Sequence, residues 1–325
     1  MSKKKKIFII FLSVFCLIII SLYLYFYMPY SVSASETQSE ITINKDENLI
    51  LSQENKIEIL QLTDFHINDV IDKHTTYSII KRVIYSSDPD IIVITGDIFS
   101  SGATEDDLDT FITFIEKFKI PWAVALGNHD DEISVPFDVV SDRLENAKYS
   151  LYKKGPLDDF YGNYYYNIKF KDNSLFQLIF LDSRRQGFTT DTINYYESVV
   201  VNTAKENNNT PINNFVFAHI PIIEFQYAAE QAQKGNTTST GTIEETPSTQ
   251  INNVPFFSKM KELNTTQAYI CGHDHLNTLR AVYEGINLNY GIKTGISASN
   301  NLTIGGVMYN LKSNGKYTVK DKTIF

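Results

Sequence analysis

Five short polar clusters stand where apolar runs end: Thr63-Asp64-Phe65-His66, Gly96-Asp97, Leu126-Gly127-Asn128-His129-Asp130, Ala218-His219 and Gly272-His273-Asp274-His275. Five of the six histidines in the chain lie in this set. Imidazoles and carboxylates suit zinc, iron or manganese, and one carboxylate can bridge two cations through its two oxygens. Taken singly, each residue has a plainer reading. An aspartate after a strand is more often a turn former, a buried histidine is more often hydrogen-bonded core, and Asn128 could fill a left-handed turn position. Jointly these readings fail, because none explains why ligand-type side chains recur after five successive apolar runs. In open α/β sheets the crevice beyond the carboxyl ends of parallel strands is where such side chains meet. The clusters therefore predict one site rather than five.

The elements that must position them are legible in the pattern. Lys56 to Leu62 reads as a strand that delivers Asp64 and His66, about Thr75 to Ser87 as a crossover helix, and Asp90 to Thr95 as a buried parallel strand of β-branched residues ahead of Asp97. Thr104, followed by Glu105, Asp106 and Asp107, opens the next helix with a capping hydroxyl and an acidic first turn. Pro121 precedes the strand carrying Asn128 and His129. Strand, helix, strand, helix, strand predicts a parallel βαβαβ unit. The second half is more mixed. Tyr164 to Phe170 and Ser174 to Leu181 should pair antiparallel around the turn Lys171-Asp172-Asn173. A helix is expected over about Thr192 to Glu206, a strand over Phe215 to Phe217 before His219, a short helix over Phe256 to Leu263, and a strand over Ala268 to Ile270. Between them, Ala228 to Asn253 is a polar stretch long enough to suggest a functional or disordered loop; we expect it to border the site and tune substrate choice.

Composition limits the function classes. The chain has 325 residues, 43% hydrophobic, with 21 Phe and 20 Tyr, enough for a sizeable core. A formal charge of −9 gives no electrostatic footprint for nucleic acid. Cys16 and Cys271 are the two cysteines. Cys16 falls in the N-terminal apolar run and Cys271 on an expected buried strand, so no disulfide framework exists. Cys271 then behaves as a small hydrophobe.

Lys3 to Lys6 precede a nearly unbroken apolar run from Ile7 to about Met28, long enough for a bilayer core that takes about 20 residues. The positive-inside rule keeps the lysines cytoplasmic and sends the rest of the chain outside. The competing reading is a signal peptide cleaved near Val32-Ser33-Ala34, although the usual apolar core of such a peptide is only about 7 to 15 residues; an uncleaved anchor is favoured. Phe15, bulky where a lipoprotein signal needs a small residue, argues against lipidation of Cys16. The expected organisation is an anchor over 1–30, a polar tether over 31–53 and a catalytic domain over 54–325.

The ordered pattern D-x-H, G-D, G-N-H-D, H, G-H-x-H resembles the calcineurin-like metallophosphoesterase family, over roughly Ile57 to Leu311. The resemblance implies a four-layer α-β-β-α sandwich of two mixed sheets with a dinuclear centre at the strand ends. In that family Asp64, His66 and His275 match the ligands of a first ion, Asn128, His219 and His273 those of a second, and Asp97 the carboxylate bridging them. The ions would be manganese, iron or zinc, and a hydroxide between them would attack phosphorus. His129 matches the histidine that stabilises or protonates the departing oxygen, and protonation there is typically worth roughly 10² to 10⁴ in rate.

Departures narrow the branch. Ser100 and Ser101 follow Gly96-Asp97-Ile98-Phe99, and Asp130 follows His129. The continuation found in phosphoprotein phosphatases is thus absent, and Ser100 also replaces the aspartate that supports the leaving-group histidine there. Ser100 also stands where purple acid phosphatases carry the iron-binding tyrosine, so no iron-tyrosinate colour is expected. The texture is similar to the purple-acid-phosphatase-29-like branch. Asp130, Asp131 and Asp274 are expected to support ligands or face solvent, and His74 to be a surface histidine. The expected function is hydrolysis of small phosphate esters outside the cytoplasm, at a cell membrane entered once. The alternatives are a secreted form after signal cleavage, a phosphodiesterase or pyrophosphatase on cyclic nucleotides, nucleotide sugars or glycerophosphodiesters, and a non-catalytic envelope-binding protein.

Overall fold

The computed structural model describes residues 3–27, 41–68, 70–157, 161–252, 254–296 and 303–324. After helix α1 (Lys3–Tyr27) come strands β1 (Ile41–Asn44), β2 (Leu49–Ser52) and β3 (Lys56–Leu62), helix α2 (Val70–Ser87), β4 (Ile91–Ile94), α3 (Glu105–Glu116), β5 (Trp122–Val124) and α4 (Phe137–Asn146). The second half runs β6 (Tyr164–Lys169), β7 (Leu175–Phe180), α5 (Thr190–Glu206), β8 (Asn214–Phe217), α6 (Glu224–Gln233), β9 (Ser239–Thr240), α7 (Phe256–Leu263), β10 (Thr266–Cys271), β11 (Arg280–Tyr283), β12 (Ile286–Tyr290), β13 (Gly305–Lys312) and β14 (Tyr317–Thr323).

Two mixed sheets result. The smaller has the order β14-β13-β3-β4-β5, with β3, β4 and β5 parallel and β13 antiparallel to β3. The larger has the order β1-β2-β6-β7-β8-β10-β12-β11-β9, with β7, β8, β10 and β12 parallel at its centre. Ile91 to Ile94 are all buried, as a central parallel strand of β-branched residues requires. Between the sheets lies one core, to which Ile59 and Tyr309 contribute from the smaller sheet and Phe215 and Ile270 from the larger. A second core, including Tyr196, Phe225, Met260 and Tyr269, lies between the larger sheet and helices α5, α6 and α7. Burying side chains of that size contributes about 1.5–3 kcal/mol apiece.

Local signals set the element ends. The Thr104 side chain accepts from the Asp107 N–H while the Asp107 carboxylate takes the Thr104 N–H, a capping box that starts α3. Thr189 and Thr192 do the same for α5. Asn264, with φ 52°, ends α7 in the left-handed conformation that asparagine tolerates.

The structure corrects four expectations. The tether over 31–53 does not extend that far: residues 41–52 form the β1–β2 hairpin, β2 pairs in parallel with β6, and Ile50 is fully buried. Its apolar alternation of Ile41, Ile43 and Ile50 outweighs its polar composition; residues 31–40 lie outside the described ones. His74 is buried on α2 rather than at the surface. The polar stretch from Ala228 begins inside helix α6 and contains β9, so it is not one loop. Finally, among the described residues no helix is long and apolar enough to cross a membrane. Helix α1 does form and exposes Phe8, Ile10, Phe11 and Leu17, but part of the run expected to span lies outside the described side chains.

Candidate metal centre

Each cluster follows the carboxyl end of a strand: Asp64 and His66 after β3, Asp97 after β4, Asn128 and His129 after β5, His219 after β8, His273 and His275 after β10. The parallel pairings β3–β4–β5 and β8–β10 bring these ends together from both sheets. The backbone bends sharply to aim them. Asp64, His66, Asp97 and His273 all have positive φ, at 55°, 49°, 50° and 75°, a conformation non-glycine residues adopt sparingly and that clusters at functional sites. Asn128 is not among the positive-φ residues, so the left-handed turn does not explain it. Phe65, fully buried against Phe111, anchors the turn between Asp64 and His66. The N–H groups of Phe65 and His66 both donate to the Asp97 carbonyl at 2.8 and 3.0 Å, tying the two loops together.

Glycine is required where these loops touch. A Cβ on Gly127 would lie 2.2 Å from Asp97 Oδ1, and one on Gly272 would lie 2.0 Å from Thr63 Oγ1. Either substitution would push a ligand-type carboxylate or its support out of place.

The side chains form two adjoining groups. Asp64, His66 and His275 place ligand atoms within 4.8 Å of one another, and so do Asp97, His219 and His273. Asp97 reaches both, with Oδ2 3.1 Å from His219 Nε2 and 3.6 Å from His66 Nε2. His66 Nε2 lies 3.1 Å from His275 Nε2, and His273 Nδ1 lies 3.2 Å from His219 Nε2. Two ring nitrogens each about 2.0–2.1 Å from one ion stand roughly 3 Å apart, so these spacings fit a shared cation. Asn128 Oδ1 is buried with no hydrogen-bond partner among the described residues, an orphaned acceptor that a cation would satisfy. The donor set therefore fits two metal ions.

Hydrogen bonds orient the rings. His219 Nδ1 donates to the Thr95 carbonyl at 2.7 Å, which turns Nε2 toward Asp97. His273 Nε2 lies 3.3 Å from Ser248 Oγ, so the polar stretch does border the site. Burial alone would lower the pKa of His219, yet Asp97, Asp64 and the Thr95 carbonyl push it up to about 10. Burial, and then the His219 charge, push His273 down to about 4. Burial opposes ionisation of Asp64, but His275, His219 and His66 hold it below the usual carboxylate range. A ring kept protonated by buried carboxylates must lose that proton when it coordinates a cation.

Asp130 and Asp274 support the site. Asp130 is fully buried and accepts from the N–H groups of Gly127, Asp97, Ile98 and Phe99, bracing two ligand loops at once. Asp274 accepts from Tyr290 Oη and the Ser248 N–H. Asp131 faces outward and pairs with Arg185.

Glu132 was not singled out by its sequence position. His129 Nδ1 lies 2.8 Å from Glu132 Oε2, and the Glu132 carboxylate also accepts from Arg185 Nη2 at 2.8 Å. The His129 ring stands edge-on to His66, with centroids 5.3 Å apart, beside the first group. Its orienting partner thus sits three residues on, in the turn after the motif. The available signal was a carboxylate three residues past a turn histidine, too common a spacing to stand out.

Two adjoining histidine and carboxylate groups that share one buried aspartate, at the strand ends of two facing sheets, define a metallohydrolase of the dinuclear class. The calcineurin-like phosphoesterase family model matches residues 57–277, and the chain belongs to that family. It is accordingly a hydrolase acting on phosphoric ester bonds. It is 28% identical over 293 residues to probable inactive purple acid phosphatase 14 of Arabidopsis thaliana, covering 74% of this chain and 71% of that protein. Probable inactive purple acid phosphatase 29 of Arabidopsis thaliana is 28% identical over 242 residues, with 65% and 60% covered. Phosphatase DCR2 of Saccharomyces cerevisiae is 26% identical over 267 residues, with 70% of this chain and 45% of that protein covered. Among solved structures, a dimetal phosphatase from Danio rerio superposes with a TM-score of 0.57 at 11% identity, over 82% of this chain and 95% of that one, a likeness of fold.

Proposed function

We propose that the chain is a phosphoesterase acting on small phosphate esters outside the cytoplasm, on a four-layer α-β-β-α sandwich. Its two metal sites would be Asp64, His66, Asp97 and His275 for one ion, and Asp97, Asn128, His219 and His273 for the other. The observation that carries this reading is the sharing of Asp97 by both groups, beside the orphaned Asn128 oxygen. Two manganese, iron or zinc ions held there would supply an activated water and neutralise phosphoryl charge.

The chain's own residues do the rest. His129, with Nδ1 directed to Glu132, has Nε2 as the atom that can hand a proton to the departing oxygen. Arg185 grips Glu132 and Asp131 from outside and keeps that carboxylate facing the ring. Ser248 and its neighbours wall the His273 side and would meet the alcohol part of the substrate. Lys3 to Lys6 at the start of α1, ahead of its exposed apolar side chains, support a location of the domain outside the cytoplasm. Protease added to intact cells should then digest the domain; digestion only after lysis would reject this orientation.

The test of activity is parallel assay of the full chain in detergent, loaded with each metal, on a monoester, a diester and a pyrophosphate. Turnover of the monoester above the other two supports the reading, and preference for either of the others selects the phosphodiesterase or pyrophosphatase alternative. The word inactive in the names of the plant relatives favours a second reading, a binding protein that keeps the centre. No turnover on any substrate with two metals bound would establish it.

A further inference from the structure

The chain returns from α6 to α7 as a strap that crosses the candidate metal centre, and on the way it is fastened to three loops. At one end the Ser248 N–H donates to both Asp274 oxygens at 3.2 Å, between His273 and His275. In the middle lies Gln250, 8% exposed, whose backbone N–H donates to the Pro221 carbonyl at 2.9 Å, two residues past His219. At the other end the Asn252 N–H donates to the Gln186 carbonyl at 2.7 Å, and the Asn252 amide to the Gly187 and Phe188 carbonyls. The strap thus joins loops that carry metal-type histidines to the turn that follows β7.

That turn supplies Arg185, and its backbone is tightly constrained. Arg184 has φ 42°, with its N–H and its Nε both on the buried carboxylate of Asp182 at 2.9 Å, and the Gly187 N–H donates to the Ser183 carbonyl at 2.7 Å. Arg185 then leaves the larger sheet for the loop after β5 of the smaller one, where Nη2 donates to Asp131 and to Glu132 at 2.8 Å each. Glu132 in turn holds His129 Nδ1 at 2.8 Å. On its outer side the turn borders a cavity of about 270 Å³ lined by Arg184, Arg185 and Asn252, so hydrogen bonds rather than packing fix where Arg185 starts.

Gln250 makes the central bonds of that support. Its Oε1 accepts from the Phe188 N–H at 2.9 Å, while its Nε2 donates to the Ile220 carbonyl at 3.2 Å. An N–H on one side and a carbonyl on the other dictate which end of the amide faces which, so the side chain locks the turn to the His219 loop in one arrangement. Gly187 has to be glycine for this contact, because a Cβ on it would lie 2.4 Å from Gln250 Cβ. A buried amide with both ends satisfied specifies the positions of the groups around it. An apolar side chain of the same size would fill the volume without setting the turn.

We infer, on the phosphoesterase reading above, that Gln250 is a positioning residue for proton transfer to the leaving group. It fixes the turn that aims Arg185 at Glu132, and Glu132 holds the His129 ring. Because the same amide is anchored beside His219, the support of the general acid and the support of a metal-type histidine are one piece.

The test is a double-mutant cycle on the full chain in detergent, with an alkyl phosphate and p-nitrophenyl phosphate as substrates. Gln250→Met keeps the volume and loses the side-chain hydrogen bonds. It should retain two metal ions per chain and lose roughly tenfold in kcat on the alkyl phosphate, with a smaller loss on p-nitrophenyl phosphate. Arg185→Ala should do the same, and adding Gln250→Met to it should cost no more, because Gln250 acts through Arg185. Asn252→Ala, at a half-buried position that braces the same turn, should move the ratio of the two rates in the same direction and guards against misfolding of the buried variant. A readout that needs no turnover is the nitrogen NMR signal of His129 Nδ1 in the zinc-loaded protein, which should shift alike in Gln250→Met and Arg185→Ala. Equal losses on both substrates, full additivity of the two substitutions, or an Nδ1 signal that Gln250→Met leaves in place would each overturn the proposal. Absence of turnover in the unaltered protein is the distinct failure of the phosphoesterase reading, and the Nδ1 signal then still decides whether Gln250 sets His129.

Discussion

The two halves of the metal centre are built differently. The Asp97, His219 and His273 group is set deep: Asp97 and His219 are 1% and 0% exposed, and the His219 ring is pinned through Nδ1 to the Thr95 carbonyl just past β4. The Asp64, His66 and His275 group keeps Asp64 buried but leaves the side chains of His66 and His275 11% and 22% exposed, beside the still more open His129. A ligand ring fixed by a backbone partner loses little freedom on coordination, and such outer partners are worth about 10–100-fold in metal affinity. The deep half would thus hold an ion more tightly than the shallow half.

Removing what the halves share is the most damaging change. Asp97→Ala should empty both sites and bring activity to background, read as metal per chain by elemental analysis. Retention of two ions would show that the halves are independent. Next in size is the residue of the shallow half that needs no metal. His129→Ala should keep both ions but lose roughly 10² to 10⁴ in rate on alkyl phosphates. The loss should be smaller on p-nitrophenyl phosphate, whose phenolate leaves without much protonation. Equal losses on both would remove the general acid from the scheme.

Chelation separates the halves directly. Titration with a chelator should release the two ions in steps about 10–100-fold apart, the shallow one first, and His219→Ala should merge the steps. A single release in the unaltered protein would erase the distinction. Glu132→Gln should then cost roughly 10-fold to 10²-fold in kcat on alkyl phosphates with KM little changed, as misorientation of His129 would. The smallest effect is expected at Ser248→Ala, which should alter the ratio of monoester to diester rates by a few-fold and leave metal content intact.

Most of the framework could be read from residue types. The run Ile91 to Ile94 is β-branched throughout, Thr104 and Asp107 announce a helix start, and the five clusters converge as strand ends on parallel neighbours should. What stayed hidden depends on contacts between residues distant in sequence. The Asp130 carboxylate braces the loop after β4, more than thirty residues earlier, and nothing local distinguishes it from Asp131 one position on. Glu132 becomes a partner of His129 only once the turn closes, and Ser248 approaches His273 only because the chain returns from α6 across the site. The hairpin at 41–52 was obscured because composition averages over a window, while pairing depends on which alternate residues are apolar.

That hairpin has a consequence for the integrity of the larger sheet. Strand β6 carries three consecutive tyrosines, Tyr164 to Tyr166, and is flanked by β7 on one side and by β2 on the other. Without β2 its backbone N–H and C=O groups would face solvent along a flat aromatic edge, a template for a second chain. The four-residue strands β1 and β2 take up that pairing and leave outermost a strand too short to recruit much. The hairpin is therefore an edge guard, and a chain shortened to residue 41 should remain monodisperse where one shortened to residue 53 would self-associate through β6.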